Sequence, residues 1–174
     1  MDHVVIRSER PGDEEQVRRV NQRAFGRPEE AGLVDALRGS AGALSLVAVA
    51  GDAIVGHIFF TPVRIDGKGD AVAVAGLAPM VVAPEFQRQG VGSRLVRAGL
   101  DACRSAGYDA VVVVGHPRYY PRFGFGLASS KGLEYEEPIP PEAFMAVELR
   151  PGALTPGGGT VRYRPEFSTD GSTR

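Results

Sequence analysis

The feature that most constrains the fold is a change of hydrophobic pattern in the middle of the chain. The largely apolar segment AVAVAGLAPMVV (71–82) leads into a glycine-containing turn, a helix-period segment that begins at GVGSRLV, and the valine run DAVVVVG (109–115). Four consecutive valines favour a strand covered on both faces, as in a parallel pair joined by a helical crossover. The centre of the chain is therefore predicted to form a strand, a turn, a helix and a parallel strand.

Elsewhere the pattern favours antiparallel strands and two further helices. Strands in direct succession, joined by short turns such as Gly51-Asp52, predict hairpins. The strand segments are HVVIR (3–7), LSLVAVA (44–50), AIVGHIFFTPVRI (53–65), FMAVELR (144–150) and TVRYR (160–164). The helical segments are GDEEQVRRVNQRAF, in which Asp13 and Gln16 have capping-box spacing, and PEEAGLVDALR.

Length and composition fit one α/β domain. The 174 residues have an ordinary globular composition, a net charge of -1 and a single cysteine, Cys103. This balance argues against a partner that is nucleic acid, and no apolar run approaches the roughly 20 residues of a membrane span. We expect a cytoplasmic protein with one domain over residues 1–167 and a flexible tail over 168–174, and we assign no metal site.

The turn EFQRQGVGSRLV (85–96) has the properties of a phosphate-binding site. A helix N-terminus offers unpaired N–H groups and the positive end of the helix dipole, and phosphates bind there readily. Gly90 and Gly92 lack the Cβ atoms that would hold a diphosphate away from the main chain, and Arg88 adds positive charge. The alternative is that the two glycines serve only tight packing.

Two common phosphate-binding motifs fit this turn poorly. A P-loop requires Gly-Lys-Ser/Thr, whereas the chain has Gly-Ser-Arg. A dinucleotide fingerprint requires a third glycine where Leu95 stands, and an acidic residue after the following strand, whereas Asp109 precedes that strand. These differences argue against a dinucleotide-binding oxidoreductase, which a comparison of NAD and acetyl-CoA binding would test.

The segment Gln87–Gly92 resembles the acetyl-CoA signature of the GNAT superfamily of N-acetyltransferases, Q/R-x-x-G-x-G/A. The stretch LAPMVVAPEF before it looks like that family's fourth strand, and DAVVVV after it looks like the fifth. Downstream, Tyr120-Pro-Arg-Phe-Gly-Phe matches the family's Tyr-x-x-x-Gly-Phe. The string GHPRYYPRFGF, with FMAVEL and PGAL, is similar to a bacterial subgroup of predicted N-acetyltransferases.

This resemblance implies a mixed, mostly antiparallel sheet flanked by helices, with the fourth and fifth strands splayed apart. It implies that the pantetheine arm of acetyl-CoA lies along the fourth strand, bonded to the backbone of Met80, Val81 and Val82. A backbone N–H of that stretch would polarise the thioester carbonyl. The diphosphate would bind the N–H groups of Arg88, Gln89, Gly90, Val91, Gly92 and Ser93.

Tyr120 matches the tyrosine that protonates the leaving thiolate in the family. Tyrosine stays protonated at pH 7 and can donate, and the adjacent Tyr119 is an alternative donor. No general base stands out. Glu85, His57 and His116 are the candidates, and a water chain could replace them.

Other reactive or charged residues have simpler explanations. Cys103 lies on the apolar face of the central helix, where an inert buried thiol is expected. Arg94 and Arg97 are expected to be solvated, although one could approach the adenosine 3′-phosphate. The glutamate-rich stretch EYEEPIPPE (134–142) is expected to be an exposed loop that could also attract a cationic amine.

The function expected from the resemblance is acetyl transfer from acetyl-CoA to a primary amine of a small molecule or peptide. The transfer would proceed by direct attack within a ternary complex. The alternative is a non-catalytic acyl-CoA sensor or protein-binding module, which slow, amine-independent thiol release with tight CoA binding would favour. Exposed strand edges make a homodimer plausible.

Overall fold

The computed structural model describes residues 3–26, 29–155 and 157–168. In these ranges the chain forms three α-helices and nine strands. The helices are α1 (Glu14–Phe25), α2 (Glu29–Leu37) and α3 (Val91–Ser105). The strands are β1 (Val4–Ser8), β2 (Leu44–Ala50), β3 (Ala53–Ile65), β4 (Val74–Val82), β5 (Ala110–Val114), β6 (Gly126–Leu127), β7 (Leu133–Tyr135), β8 (Phe144–Glu148) and β9 (Gly159–Arg162). No helix in the described part of the chain is long and apolar enough to cross a membrane.

The sheet is mixed and mostly antiparallel, as the sequence predicts. Its strand order is β1-β2-β3-β4-β5-β8-β6, and β9 pairs with β3 and β7. The pairs β4–β5 and β7–β9 are parallel. The antiparallel pairs include β1–β2, β2–β3 and β5–β8. Both the predicted hairpin of β2 and β3 and the predicted crossover through α3 are confirmed.

Contacts group the chain into two compact units. The first is drawn from the described parts of Met1–Phe60, Ala78–Gly99 and Pro165–Arg174. In it, neighbouring residues of β3 face opposite sides of the sheet. A Cβ at Gly56 would meet Leu95 of α3, whereas the His57 side chain contacts Asn21 of α1. Helices therefore cover both faces of β3 in this unit.

The second unit comprises Thr61–Leu77 and Leu100–Arg164. Its centre is β5, which is parallel to β4 and antiparallel to β8. The β4–β5 pairing runs from Val74 opposite Ala110 to Leu77 opposite Val113. Four of the five β5 residues are buried, and only Val114 is exposed. The valine run therefore forms the covered strand that its sequence predicts. Beyond this register β4 continues to Val82.

The predicted capping box at the start of α1 is wrong. Asp13 is the residue before the helix but makes no side-chain cap. Its carboxylate binds the Arg7 guanidinium at 2.6 Å and the Arg10 N–H at 2.7 Å, and Gln16 Oε1 accepts from Ile54 N–H at 2.9 Å. Both Asp13 carboxylate oxygens bind the Arg7 guanidinium, and one of them also accepts the Arg10 N–H, so the carboxylate is occupied away from the helix N-terminus.

The sequence also missed two short strands after residue 125. Strands β6 and β7 contain only two and three residues, too few to show a periodic pattern. β7 falls at the start of the glutamate-rich stretch, so the prediction of an exposed loop is wrong there. In that stretch Glu136 is half-buried, accepts from Tyr163 N–H and lies 3.7 Å from Arg162. Residues 169–174 of the predicted tail lie outside the described residues.

Candidate active site

The connection between β4 and α3 contains two residues in the left-handed region. A 3-10 turn at Pro84–Phe86 follows β4, and α3 begins at Val91. Between them, Arg88 has a φ of 61° and Gly90 a φ of 86°. Glycine adopts this conformation freely, but a residue with a Cβ loses about 1–2 kcal/mol there. A strained arginine in a connecting turn is typical of a functional segment.

The turn presents a row of unpaired main-chain donors. Among the described residues, none of the N–H groups of residues 88–93 donates to a protein acceptor. The first bond into the helix runs from Arg94 N–H to the Gly90 carbonyl at 3.1 Å. Residues 88–90 are exposed and Gly92 and Ser93 are half-exposed, so much of this row is open to solvent. The unpaired N–H groups of residues 88–93 are therefore able to bind an anion.

Two glutamine side chains hold the turn without using its N–H groups. Gln87 Nε2 donates to the Val82 carbonyl at 2.9 Å, and Gln89 Nε2 donates to the Glu85 carbonyl at 3.0 Å. Both bonds occupy carbonyl oxygens. The bonds therefore brace the turn and leave the donors described above unused.

Tight packing does not explain the glycine at position 90. A Cβ built there meets no atom of the described residues within 4 Å, so the space beside Gly90 is open. The residue is needed for its φ of 86°, which opens the turn before the helix begins. This observation favours the phosphate-binding interpretation of the turn over the packing alternative at this position.

The last residues of β4 alternate in exposure. Met80 and Val82 are half-exposed, whereas Val81 is buried. The Val82 carbonyl is occupied by Gln87, as described above. The strand that the family resemblance assigns to the pantetheine arm thus leads directly into the donor-rich turn.

Tyr120 lies in the second unit, at the first position of a 3-10 turn (Tyr120–Phe123) that Gly124 ends with a φ of 92°. The Tyr120 ring is buried, with edge-on contacts to Tyr119 and Phe125 at centroid distances of 5.1 and 5.5 Å. A Cβ at Gly115 would lie 2.4 Å from the Tyr120 ring, so the ring rests directly on the main chain at the end of β5.

Burial keeps the Tyr120 hydroxyl protonated. Desolvation, with a smaller contribution from Tyr119, raises the pKa of Tyr120 to about 12. Within the described part of the chain, no hydrogen bond to this hydroxyl is found, and the ring contacts involve its carbon atoms. The group is therefore a neutral donor near pH 7. The adjacent Tyr119 is half-exposed and lies under the Arg122 guanidinium, 4.7 Å from the ring centroid.

The three candidate bases all have other partners. His57 is fully buried, with Nδ1 3.1 Å from Asn21 Nδ2 and Nε2 2.8 Å from Ser45 Oγ, and desolvation followed by Arg38 lowers its pKa to about 3. It is a structural histidine. Glu85 forms a two-bond ion pair with Arg23. His116 is exposed, and its Nδ1 accepts the Arg118 N–H at 3.1 Å.

The predictions for Cys103 and for the two arginines of α3 agree with the structure. Cys103 is buried, and desolvation raises the pKa of its thiol to about 12, as expected for an inert cysteine. Arg94 and Arg97 are exposed on α3. The described residues include no group of three or more metal-ligating side chains. An open cavity of about 670 Å³ in the second unit, beside Val63, Val74 and Tyr108, contains none of the predicted site residues.

Sequence reasoning missed how the turn is held. The strain at Arg88 and the glutamine bonds depend on backbone geometry, which residue types alone do not specify. One signal was available for Gln89, because its side chain can reach the carbonyl four residues earlier. The ion pair of Glu85 with Arg23 joins residues 62 positions apart, and no local pattern predicts it.

Comparison with known proteins places this α/β chain, with its donor-rich turn, in a family. The family model for the acetyltransferase (GNAT) domain matches residues 5–128. The uncharacterized N-acetyltransferase YjhQ of Escherichia coli (strain K12) is 43% identical over 134 residues, which are 75% of this chain and 74% of that protein. The uncharacterized N-acetyltransferase YhbS of the same strain is 36% identical over 168 residues, or 95% of this chain and 99% of YhbS.

Solved structures that are similar to this chain belong to the same family. The crystal structure of YhbS from Escherichia coli in complex with CoA has a TM-score of 0.90 at 34% identity and covers 98% of this chain and 95% of that chain. A GNAT family acetyltransferase from Brucella melitensis in complex with acetyl-CoA has a TM-score of 0.76 at 36% identity, covering 96% and 99%. The chain belongs to the GNAT acetyltransferases, which confirms the resemblance inferred from its sequence.

Proposed function

We propose that this protein transfers the acetyl group of acetyl-CoA to a primary amine of a small molecule or peptide. The observation that carries the proposal is the row of unpaired N–H groups at residues 88–93. Solved relatives with TM-scores of 0.90 and 0.76 are complexes with CoA and acetyl-CoA, which supports the same donor here.

The turn supplies enough binding energy for a diphosphate. A hydrogen bond to a charged acceptor contributes about 1.5–3 kcal/mol, so three or four of the free N–H groups would anchor it firmly. The dipole of α3, a helix of 15 residues, adds a favourable field at its N-terminus. The Arg88 guanidinium, which is exposed, adds charge at the same position.

The acetyl group would be held along the end of β4. In this proposal the pantetheine arm adds to Met80, Val81 and Val82 as an extra strand, and one N–H of that stretch polarises the thioester carbonyl. Such a donor is most effective in the transition state, because negative charge then develops on the carbonyl oxygen. The half-exposed positions of Met80 and Val82 are compatible with this contact.

Tyr120 would assist departure of the thiolate. The amine nitrogen attacks the carbonyl carbon and then loses a proton to water, the carbon–sulfur bond breaks, and the sulfur takes up a proton. With a pKa near 12, Tyr120 is about 3.5 units less acidic than an ordinary thiol, so full transfer of its proton is uphill by about 5 kcal/mol. Tyr120 is therefore suited to donate a hydrogen bond to the thiolate, with the proton finally supplied through solvent.

The acceptor amine must lose a proton before it attacks. At pH 7 an alkyl amine with a pKa near 10.4 is mostly charged, and freeing its lone pair costs about 4–5 kcal/mol. His57 is buried, Glu85 is bound to Arg23, and His116 accepts a backbone N–H. Water is the base in this proposal, so the rate should rise with pH as the free-amine fraction increases.

The experiment is a screen of amines with acetyl-CoA that follows free thiol, with CoA affinity measured by calorimetry. Gly90→Asp puts a negative charge at the turn and should abolish CoA binding while the protein stays folded. Tyr120→Phe should keep CoA affinity within about two-fold and slow turnover about 100-fold, the lower end for losing a hydrogen-bond donor to developing negative charge.

Three results would contradict the proposal in different ways. Unchanged CoA binding by Gly90→Asp would place the coenzyme elsewhere. Undiminished turnover by Tyr120→Phe would remove this tyrosine from the reaction. Tight CoA binding without acetylation of any amine would favour a non-catalytic acyl-CoA sensor.

A further inference from the structure

An ion pair joins the end of α1 to the segment that precedes the donor-rich turn. Arg23 Nη2 lies 2.9 and 2.8 Å from the two carboxylate oxygens of Glu85. Glu85 belongs to the 3-10 turn Pro84–Phe86, and its carbonyl accepts the Gln89 side chain at 3.0 Å. Glu85 therefore contacts Arg23 through its carboxylate and the donor-rich turn through its carbonyl.

Glu85 carries its negative charge at neutral pH. Its own backbone N–H, followed by Arg23, lowers the pKa of the Glu85 carboxyl. Both side chains are about half exposed, at 55% for Arg23 and 50% for Glu85. An exposed pair of this kind contributes little to folding stability. The ion pair matters instead for its position, because Glu85 lies close in sequence to the unpaired N–H groups of residues 88–93.

We propose that Arg23 is a positioning residue for coenzyme binding, and this inference rests on the proposed function of the turn. By holding the Glu85 carboxylate toward α1 and neutralising it, Arg23 keeps a negative charge from opposing the diphosphate. Without Arg23, Glu85 would repel the coenzyme and would be free to bind the N–H groups of residues 88–93 itself. Arg23 thus acts through Glu85 and does not contact the coenzyme.

The same helix offers a matched control. Arg19, one turn earlier on α1, pairs with Glu15 within the helix and is 67% exposed. Arg19→Gln removes the same charge from the same helix without affecting Glu85. Any loss of affinity that comes only from lower net charge should therefore be equal in Arg19→Gln and Arg23→Gln.

The test is the Kd for CoA, measured by calorimetry at low and high salt in the folded full chain. Arg23→Gln should weaken binding about five-fold in about 0.02 M salt, and the effect should nearly vanish at about 1 M salt, where the Debye length is about 3 Å. Arg23→Lys keeps the charge and should bind within two-fold of the wild type. Arg19→Gln should do the same.

A double-mutant cycle separates indirect from direct action. Glu85→Gln removes the charge that Arg23 masks, so adding Arg23→Gln to Glu85→Gln should change the Kd by less than 1.5-fold. A five-fold loss that persists in the Glu85→Gln background would overturn the inference, because Arg23 would then contact the coenzyme itself. Equal effects of Arg23→Gln and Arg19→Gln, or a salt-independent loss, would also overturn it.

The controls distinguish this failure from failure of the proposed function. If the wild type binds CoA and Gly90→Asp abolishes that binding, but Arg23→Gln has no specific effect, only the inference about Arg23 is refuted. A wild-type protein that does not bind CoA would remove both. Thermal unfolding of each variant should remain within a few degrees of the wild type, since exposed ion pairs add little stability.

Discussion

Gly115→Ala should displace Tyr120 without touching its hydroxyl. A Cβ at Gly115 would lie 2.4 and 3.0 Å from two ring carbons of Tyr120, whereas carbon atoms in contact are normally about 3.5–4.0 Å apart. The ring must therefore withdraw by about 1 Å. It cannot do so freely, because Tyr119 and Phe125 pack edge-on against it.

The displacement should reduce turnover more than stability. Inserting a methyl group into a close-packed contact costs about 1–3 kcal/mol, which leaves a typical domain folded. A catalytic group misplaced by about 1 Å can cost about 100-fold in rate. We therefore expect kcat to fall about 100-fold in Gly115→Ala, with the Kd for CoA unchanged because the donor-rich turn is intact.

The assay is thiol release from acetyl-CoA with a saturating amine, alongside thermal unfolding and CoA calorimetry. Gly126→Ala is the matched control, since no atom in the described part of the chain lies within 4 Å of a Cβ there and the residue lies in the same unit. Adding Gly115→Ala to Tyr120→Phe should slow the reaction little further. If Gly115→Ala is as fast as Gly126→Ala while Tyr120→Phe is slow, the position of the Tyr120 ring on Gly115 does not control turnover.

Two further predictions concern stability. Gly99→Ala would bring a Cβ to 2.5 Å from the Phe60 ring, and this overpacking should outweigh the gain in helix propensity of about 1 kcal/mol, so urea unfolding should show a net loss of stability. Gly32→Ala on α2, where a Cβ meets no atom of the described residues within 4 Å, should be neutral or stabilising. The reversed order of stabilities would contradict the packing argument. Burial lowers the pKa of His57 to about 3, so its contribution to the free energy of unfolding is complete above about pH 6.5 and is lost as the pH falls toward 3. His57→Gln should therefore lose less stability than the wild type between about pH 6.5 and about pH 3. Parallel curves of stability against pH would contradict this.

Strong periodic patterns made most of the fold predictable from sequence. The segments 44–50 and 53–65 were predicted with the bounds that β2 and β3 have, and the valine run was predicted as the parallel strand β5. These elements are fixed by local hydrophobic pattern and turn residues. The short strands β6 and β7 were missed, since two or three residues carry no period and form only because neighbouring strands offer partners.

The features of the site that depend on the main chain were predictable from the sequence. Gly90 and Gly92 at the start of an apolar helix indicated free N–H groups, and residues 88–93 have them. The capping box failed because Arg7 competes for Asp13 from another element. Likewise, the Arg23–Glu85 pair and the burial of His57 between Asn21 and Ser45 arise from contacts distant in sequence.

A crystal structure of this protein with bound CoA would show directly whether the turn of residues 88–93 binds the diphosphate. We expect diphosphate oxygens within about 2.7–3.2 Å of several backbone nitrogens of residues 88–93. We also expect Arg88 and Gly90 to keep their left-handed conformations. A diphosphate bound away from this turn, with those N–H groups turned to solvent, would show that the turn is not the coenzyme site.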